Sequence, residues 1–152
     1  MVAAVYISLF FFLVVLAMAI VFIITITKTL NAISPGNRKM EPKQAWLLLI
    51  PLFNLIWIFN TVTKVSDSIY AEFSSRGLPV EKQPTLTIGM IYGFSLCLIF
   101  IPIQSIVYTF PVTFMAVIFW IIYWVKLLEY KNKLEQLPAN DGSTGQIFKA
   151  KK

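Results

Sequence analysis

The sequence predicts an all-α integral membrane protein with four apolar helical segments, three of them full spans and the second broken. Three observations lead there. Hydrophobic residues make up 58% of the chain and charged residues only 13%, whereas soluble domains carry about 25% charge. The 27 residues before Lys28 hold no charged side chain, and neither do the 43 between Lys82 and Lys126. Both stretches exceed the ~18 residues that suffice for a span.

Val2–Thr27 is one continuous apolar run, ample for a hydrocarbon core about 30 Å thick. Ala17-Met18-Ala19 resembles a signal cleavage site, but no Lys or Arg precedes the run and the apolar stretch continues past the alanines. The expectation is therefore an uncleaved span. Ser34-Pro35-Gly36-Asn37 has the composition of a type II turn, with Pro second and Gly third where φ is positive. Glu41-Pro42 then marks a helix start, since Pro lacks only an N–H that is orphaned there anyway.

The second segment, Ala45–Val62, is interrupted by Pro51, which biases Ile50 away from helical geometry. Asn54 can cap a new helix beginning at Leu55. The sequence thus predicts two half-helices meeting at Pro51–Asn54. The second half continues as an amphipathic helix. Ile58, Val62, Val65, Ile69 and Phe73 form one stripe; Lys64, Asp67, Ser68, Glu72, Ser75 and Arg76 occupy the other side. Glu72 and Arg76 pair at i,i+4. Gly77-Leu78-Pro79 stops the helix. Its stripe is expected either at the membrane surface or against other helices.

Leu86–Val107 is the next predicted span. Thr85, Gly89, Gly93 and Cys97 recur every four residues, a ridge that lets helices approach closely in lipid. Its partner is either another helix of this chain or a second membrane protein or copy. Tyr108-Thr109-Phe110-Pro111 is expected to turn, with Pro111–Val125 crossing back and the helix running to about Gln136. Trp120, Tyr123 and Trp124 suit the membrane interface, where Lys126 can snorkel. Residues 1–137 would form one helical membrane domain, and 138–152 a flexible basic tail.

The charges choose between two topologies. If the broken segment spans fully, nine Lys/Arg lie inside and four (Lys28, Arg38, Lys39 and Lys43) lie outside. If it dips in and returns, three spans remain and all thirteen are cytoplasmic. The positive-inside rule favours this re-entrant hairpin over the kinked fourth span. Each half-helix of about eight residues reaches only ~12 Å, well short of a crossing.

Trp46-Leu47-Leu48-Leu49-Ile50-Pro51-Leu52-Phe53-Asn54-Leu55, followed by Trp57, resembles a motif of small bacterial multi-pass membrane proteins of unknown function. The resemblance covers Gln44–Arg76. It implies a bacterial inner-membrane location and carries no activity.

Function classes narrow by exclusion. The chain has no His and one Cys, Cys97, in an apolar run, so the commonest acid/base group and metal ligand is missing. No catalytic, metal or cofactor motif is recognisable. The net charge of +6 suits anionic headgroups rather than nucleic acid, because the lysines flank apolar segments. Glu41, Asp67, Glu72 and Glu81 are expected to be solvated. The neutral polar residues Asn54, Asn60, Gln104 and Ser105 either bond within the protein or line a small wet cavity. These features point to a non-enzymatic interaction, scaffold or accessory subunit. The alternative is a small transporter or channel component that uses the break at Pro51–Asn54, with Asn60 nearby.

Overall fold

The structure, a computed structural model, describes residues 2–103 and 105–137. The expected tail and Gln104 lie outside the described residues. Helices α1 (Val2–Ala32), α2 (Pro51–Ser75), α3 (Leu86–Ile99) and α4 (Ile106–Glu135) are joined by short connections, with a 3-10 helix over Pro42–Leu49 before α2. There is no strand among the described residues. Two helices, α1 and α4, are long and apolar enough to cross a membrane; α3 is apolar but shorter.

Their surfaces suit that environment. The first half of α1 is uncovered all round: Val5 is 62% exposed, Phe10 64% and Phe12 62%. Water would penalise such a surface and lipid would not. The packed core lies further along. Phe22 meets Tyr92, Trp120, Tyr123 and Trp124 edge-on, with centroids 5.8–6.4 Å apart, each pair contributing about 0.5–1.5 kcal/mol beyond burial.

The apolar stripe of α2 lies in this core, with Ile58, Val62, Val65, Ile69 and Phe73 all buried. The chain's own helices cover it. The expectation of a helix lying on the membrane surface is thereby corrected. Gly77 ends the segment at φ 68°, and Leu78 N–H reaches back to Phe73 O at 3.0 Å, the bond of a Schellman cap.

Two other boundaries differ from expectation. The third segment stops at Ile99 rather than Val107, and Tyr108–Pro111 lies within α4 instead of forming the turn. Pro102 is the cause: it has no N–H and bars the preceding residue from α geometry. Ile103 N–H closes over it onto Ile101 O at 2.7 Å. Pro111 sits inside α4 instead. It lies just past the orphan N–H groups of the first turn, so it forfeits a single helical bond. The Tyr108 hydroxyl donates to Leu98 O at 2.8 Å, tying the start of α4 to the end of α3.

Candidate functional site

The broken segment is built from local rules. Glu41 precedes Pro42 in extended geometry, and its N–H donates to Gln44 Oε1 at 3.3 Å. The 3-10 helix runs to Leu49; Ile50 is extended at φ −84°, ψ 109°, and Pro51 opens α2. The break is therefore one residue wide. Asn54 does not cap a helix from Leu55, because α2 has already begun. Its N–H bonds to Ile50 O at 2.7 Å as an ordinary helical donor. Pro51 wins the start because its fixed φ and missing N–H suit the first helical position.

Three sets of hydrogen bonds fold residues 34–49 back along α2. Glu72 accepts from Ser34 N–H, Ser34 Oγ and Asn37 Nδ2 at 2.7–3.1 Å. Lys39 N–H donates to Ser68 Oγ at 2.8 Å. Trp57 Nε1–H donates to Gln44 O at 2.9 Å. Residue numbers rise on one arm as they fall on the other, so the two arms are antiparallel. Trp57→Phe removes one rung and leaves the Gln44 carbonyl without that donor. A loss of about 1 kcal/mol is expected, read as a lower melting temperature in detergent.

Glu72 is the residue that sequence reasoning misplaced. It is fully buried rather than solvated. Arg76 donates to its Oε1 through Nε at 2.9 Å and Nη2 at 2.6 Å. Burial pushes the carboxyl up, but the bonds from Asn37, Arg76 and Ser34 outweigh it and hold it below the usual carboxylate value. The Glu72–Arg76 spacing was the only local signal; its other donors lie 35–38 residues away.

The Gly89/Gly93/Cys97 ridge packs on α2 of the same chain. A Cβ at Gly89 would meet both γ-methyls of Val62 and come within 2.9 Å of Tyr123; one at Gly93 would lie 2.9 Å from Phe59. Cys97 Sγ lies 3.9 Å from Leu55 O. This ridge is occupied, so it offers no free face for the partner or second copy considered from the sequence.

The aromatic group at the end of α4 divides. Tyr123 is fully buried under α3, not at an interface, because its ring fills the space that Gly89 leaves open. Trp120 and Trp124 are half-buried with centroids 5.2 Å apart. Trp124 Nε1–H donates to Thr25 Oγ1 at 3.0 Å, which ties α4 to α1. Lys126 follows, partly exposed.

Beside the start of α2 lies a half-open cavity of about 480 Å³ lined by residues of all four helices and Leu48. Its walls are mostly apolar, with Met18, Ala19, Leu96 and Ala116 among them, but Tyr92 and Thr113 also line it. Asn54 lines it, and its Oδ1 is buried with no hydrogen-bond partner. Asn60, nearly two turns further along α2, is half-buried and does not line the cavity. Pro51 is exposed at the tip. No group of three or more His, Cys, Asp or Glu side chains converges among the described residues.

No family model matches the chain, and neither a curated protein nor a solved structure is detectably similar to it.

Proposed function

We propose that the chain is a non-enzymatic protein of the bacterial inner membrane that crosses the bilayer three times, through α1, α3 and α4, and serves as a scaffold or accessory subunit. The 3-10 helix and α2 would form a re-entrant hairpin with both ends cytoplasmic, together with the C-terminus. The observation that carries this reading is the antiparallel ladder Ser34/Asn37–Glu72, Lys39–Ser68 and Gln44–Trp57. It returns α2 to the end of the molecule where α1 finished.

The charges support it. Lys28 lies one turn beyond Thr25, which bonds Trp124, and Lys126 follows Trp124. The Lys39 N–H and the Lys64 carbonyl share the Ser68 hydroxyl, which brings the two positions to the same level of the bundle. Lys133 stands over the ring of Tyr130, which packs on Phe73. These five basic residues thus gather at one end of the bundle, as the positive-inside rule would have them, where anionic headgroups would meet them. Length is also compatible. Helix α3 has 14 residues and reaches ~21 Å; the connection 100–105 and slight thinning of the bilayer supply the rest.

Reporters at Asn37 and Val80 test the topology. Both are expected on the cytoplasmic side, and opposite sides would overturn the hairpin. Affinity purification in mild detergent tests the role: a co-purifying membrane protein is expected, and a strictly monomeric, partnerless chain would count against it.

A second reading, a small transporter component, draws on Asn54, which lines the cavity and whose buried Oδ1 has no hydrogen-bond partner. Helix ends at membrane depth can bind solutes. Liposome flux that falls with Asn54→Ala would favour it.

A further inference from the structure

One face of α2 stays outside the buried stripe. Phe53, Trp57, Asn60 and Lys64 are spaced i, i+4, i+7 and i+11, which puts them on one side of the helix. Ile58, Val62, Val65 and Ile69 occupy the opposite side, in the core. The chemistry of the outer face changes in order along the helix. Phe53 is exposed and stacks on Trp57, with centroids 5.2 Å apart. Asn60 is half-buried, and its amide has no hydrogen-bond partner among the described residues. Lys64 opens onto a groove of about 420 Å³ beside the start of the 3-10 helix.

The groove is cationic. Arg38, Lys39 and Lys64 line it together with Glu41 and Gln44, and its other lining residues are uncharged. Three positive charges meet one negative, a local surplus of two. The Ser68 hydroxyl accepts from Lys39 N–H and donates to Lys64 O, which fixes the two lysine backbones side by side. Neither ammonium group has an ion-pair partner among the described residues. Arg38 is held by Nε on Ile33 O and Nη2 on Asn31 O, so its charge stays in place. Gln44 Oε1 accepts from the Glu41 N–H, which leaves Nε2 to donate. A cation would meet three like charges here. The oxygens of a phosphate ester would instead take several charge-assisted bonds.

Depth separates a lipid from a soluble phosphate. Each polar layer of a bilayer is roughly 5–8 Å thick, half the difference between the whole and its hydrocarbon core. From Lys64 to Asn60 the helix rises ~6 Å. A phosphate at Lys64 therefore sets the glycerol esters of its lipid at Asn60, whose amide can donate to an ester carbonyl. The acyl chains then run beside Trp57 and Phe53, where Leu52 and Ile56 are exposed as well. We infer that this face binds one anionic phospholipid, with its phosphate among Arg38, Lys39 and Lys64, its esters at Asn60 and an acyl chain along Trp57 and Phe53. The inference rests on the re-entrant hairpin; it does not depend on the scaffold role.

The test uses the full chain in a neutral detergent with equal amounts of phosphatidylglycerol and phosphatidylcholine, bound lipid being counted by native mass spectrometry. The choline group carries its own cation into a cationic groove, so the readout is the preference between the two. Phosphatidylglycerol should be retained about tenfold more tightly, the size of one charge-assisted hydrogen bond expressed as affinity. Lys64→Gln should lose most of that preference. Lys126→Gln removes an equal charge at the same end of the bundle but outside the groove, and should keep it. Asn60→Leu should weaken both lipids alike, because both carry the esters.

Equal retention of the two lipids by the unmodified chain would overturn the inference, a comparison that needs no variant to fold. Equal losses from Lys64→Gln and Lys126→Gln would mean diffuse attraction and overturn it too. So would displacement of the bound lipid by an equal concentration of glycerol phosphate, which would make the ligand a soluble anion. Reporters at Asn37 and Val80 on opposite sides would overturn the hairpin and this site together. Both reporters cytoplasmic, with no preference between the lipids, would overturn the site alone.

Discussion

Glu72→Ala is expected to cost about 3 kcal/mol of stability and to release the segment 33–41 to protease. Removing one partner of a buried ion pair leaves the other uncompensated. Here the remaining partners are the Arg76 guanidinium, the Asn37 amide and the Ser34 N–H and hydroxyl. Arg76 keeps 14% of its side-chain surface exposed and can turn toward water, which places the cost at the lower end of such deletions. Arg76→Met should cost less, because Glu72 then retains three donors. Thermal unfolding in mild detergent measures both. Equal losses, or a Glu72→Ala variant as stable as the parent, would remove Glu72 from its position as the clamp.

The same carboxylate sets a pH dependence. Its folded value is depressed, so in the unfolded chain it binds protons more readily, near the ordinary pKa of about 4.3. The stabilisation is complete above that value and disappears as pH falls through the lower folded one. Glu72→Gln should flatten the acid limb of the stability profile.

The second large effect is expected at Gly89. A methyl group there meets Val62 and Tyr123, whereas at Gly93 it meets only the edge of Phe59. Val62 is β-branched and held to one rotamer in a helix, and Tyr123 is fully enclosed. Phe59 is half-buried and its ring can swing aside. Gly89→Ala should therefore cost about 2 kcal/mol through overpacking, even after the gain in helix propensity of up to ~1 kcal/mol. Gly93→Ala should stay near neutral. Val62→Ala should restore most of the loss in a double mutant, a coupling that a cycle of four unfolding measurements reads directly. Additive losses would mean that the two side chains do not share the contact.

The sequence made legible whatever depends on neighbours within a turn or two. The α2 stripe followed from its 3.6-residue period, and all five of its members are buried. The helix starts at Pro42 and Pro51 are both local proline effects, although Asn54 competed for the second and obscured it. The turn was expected at Pro111 and the span was run through Pro102; the helix instead ends before Pro102, and Pro111 lies inside α4. Long-range packing was not legible. Glu72 looked like half of a surface pair, since nothing near it in sequence reveals Ser34 and Asn37. Tyr123 looked like an interface aromatic, since its pocket is made by a missing side chain on another helix. The cavity was foreshadowed only by Asn54, and its wall residues come from every helix.

The connection between α3 and α4 bears on how the protein enters its membrane. Under the proposed topology, Phe100–Ser105 is the only internal segment that must be threaded to the far side. It contains Phe100, Ile101, Pro102, Ile103, Gln104 and Ser105 and no charged side chain. A Lys, Arg or Asp at mid-bilayer costs about 2.5–3.5 kcal/mol on insertion scales. Helices α3 and α4 can therefore partition into lipid as a preformed pair, with no ion carried through. The hairpin need not be threaded at all, and every basic residue stays on the side where it was synthesised.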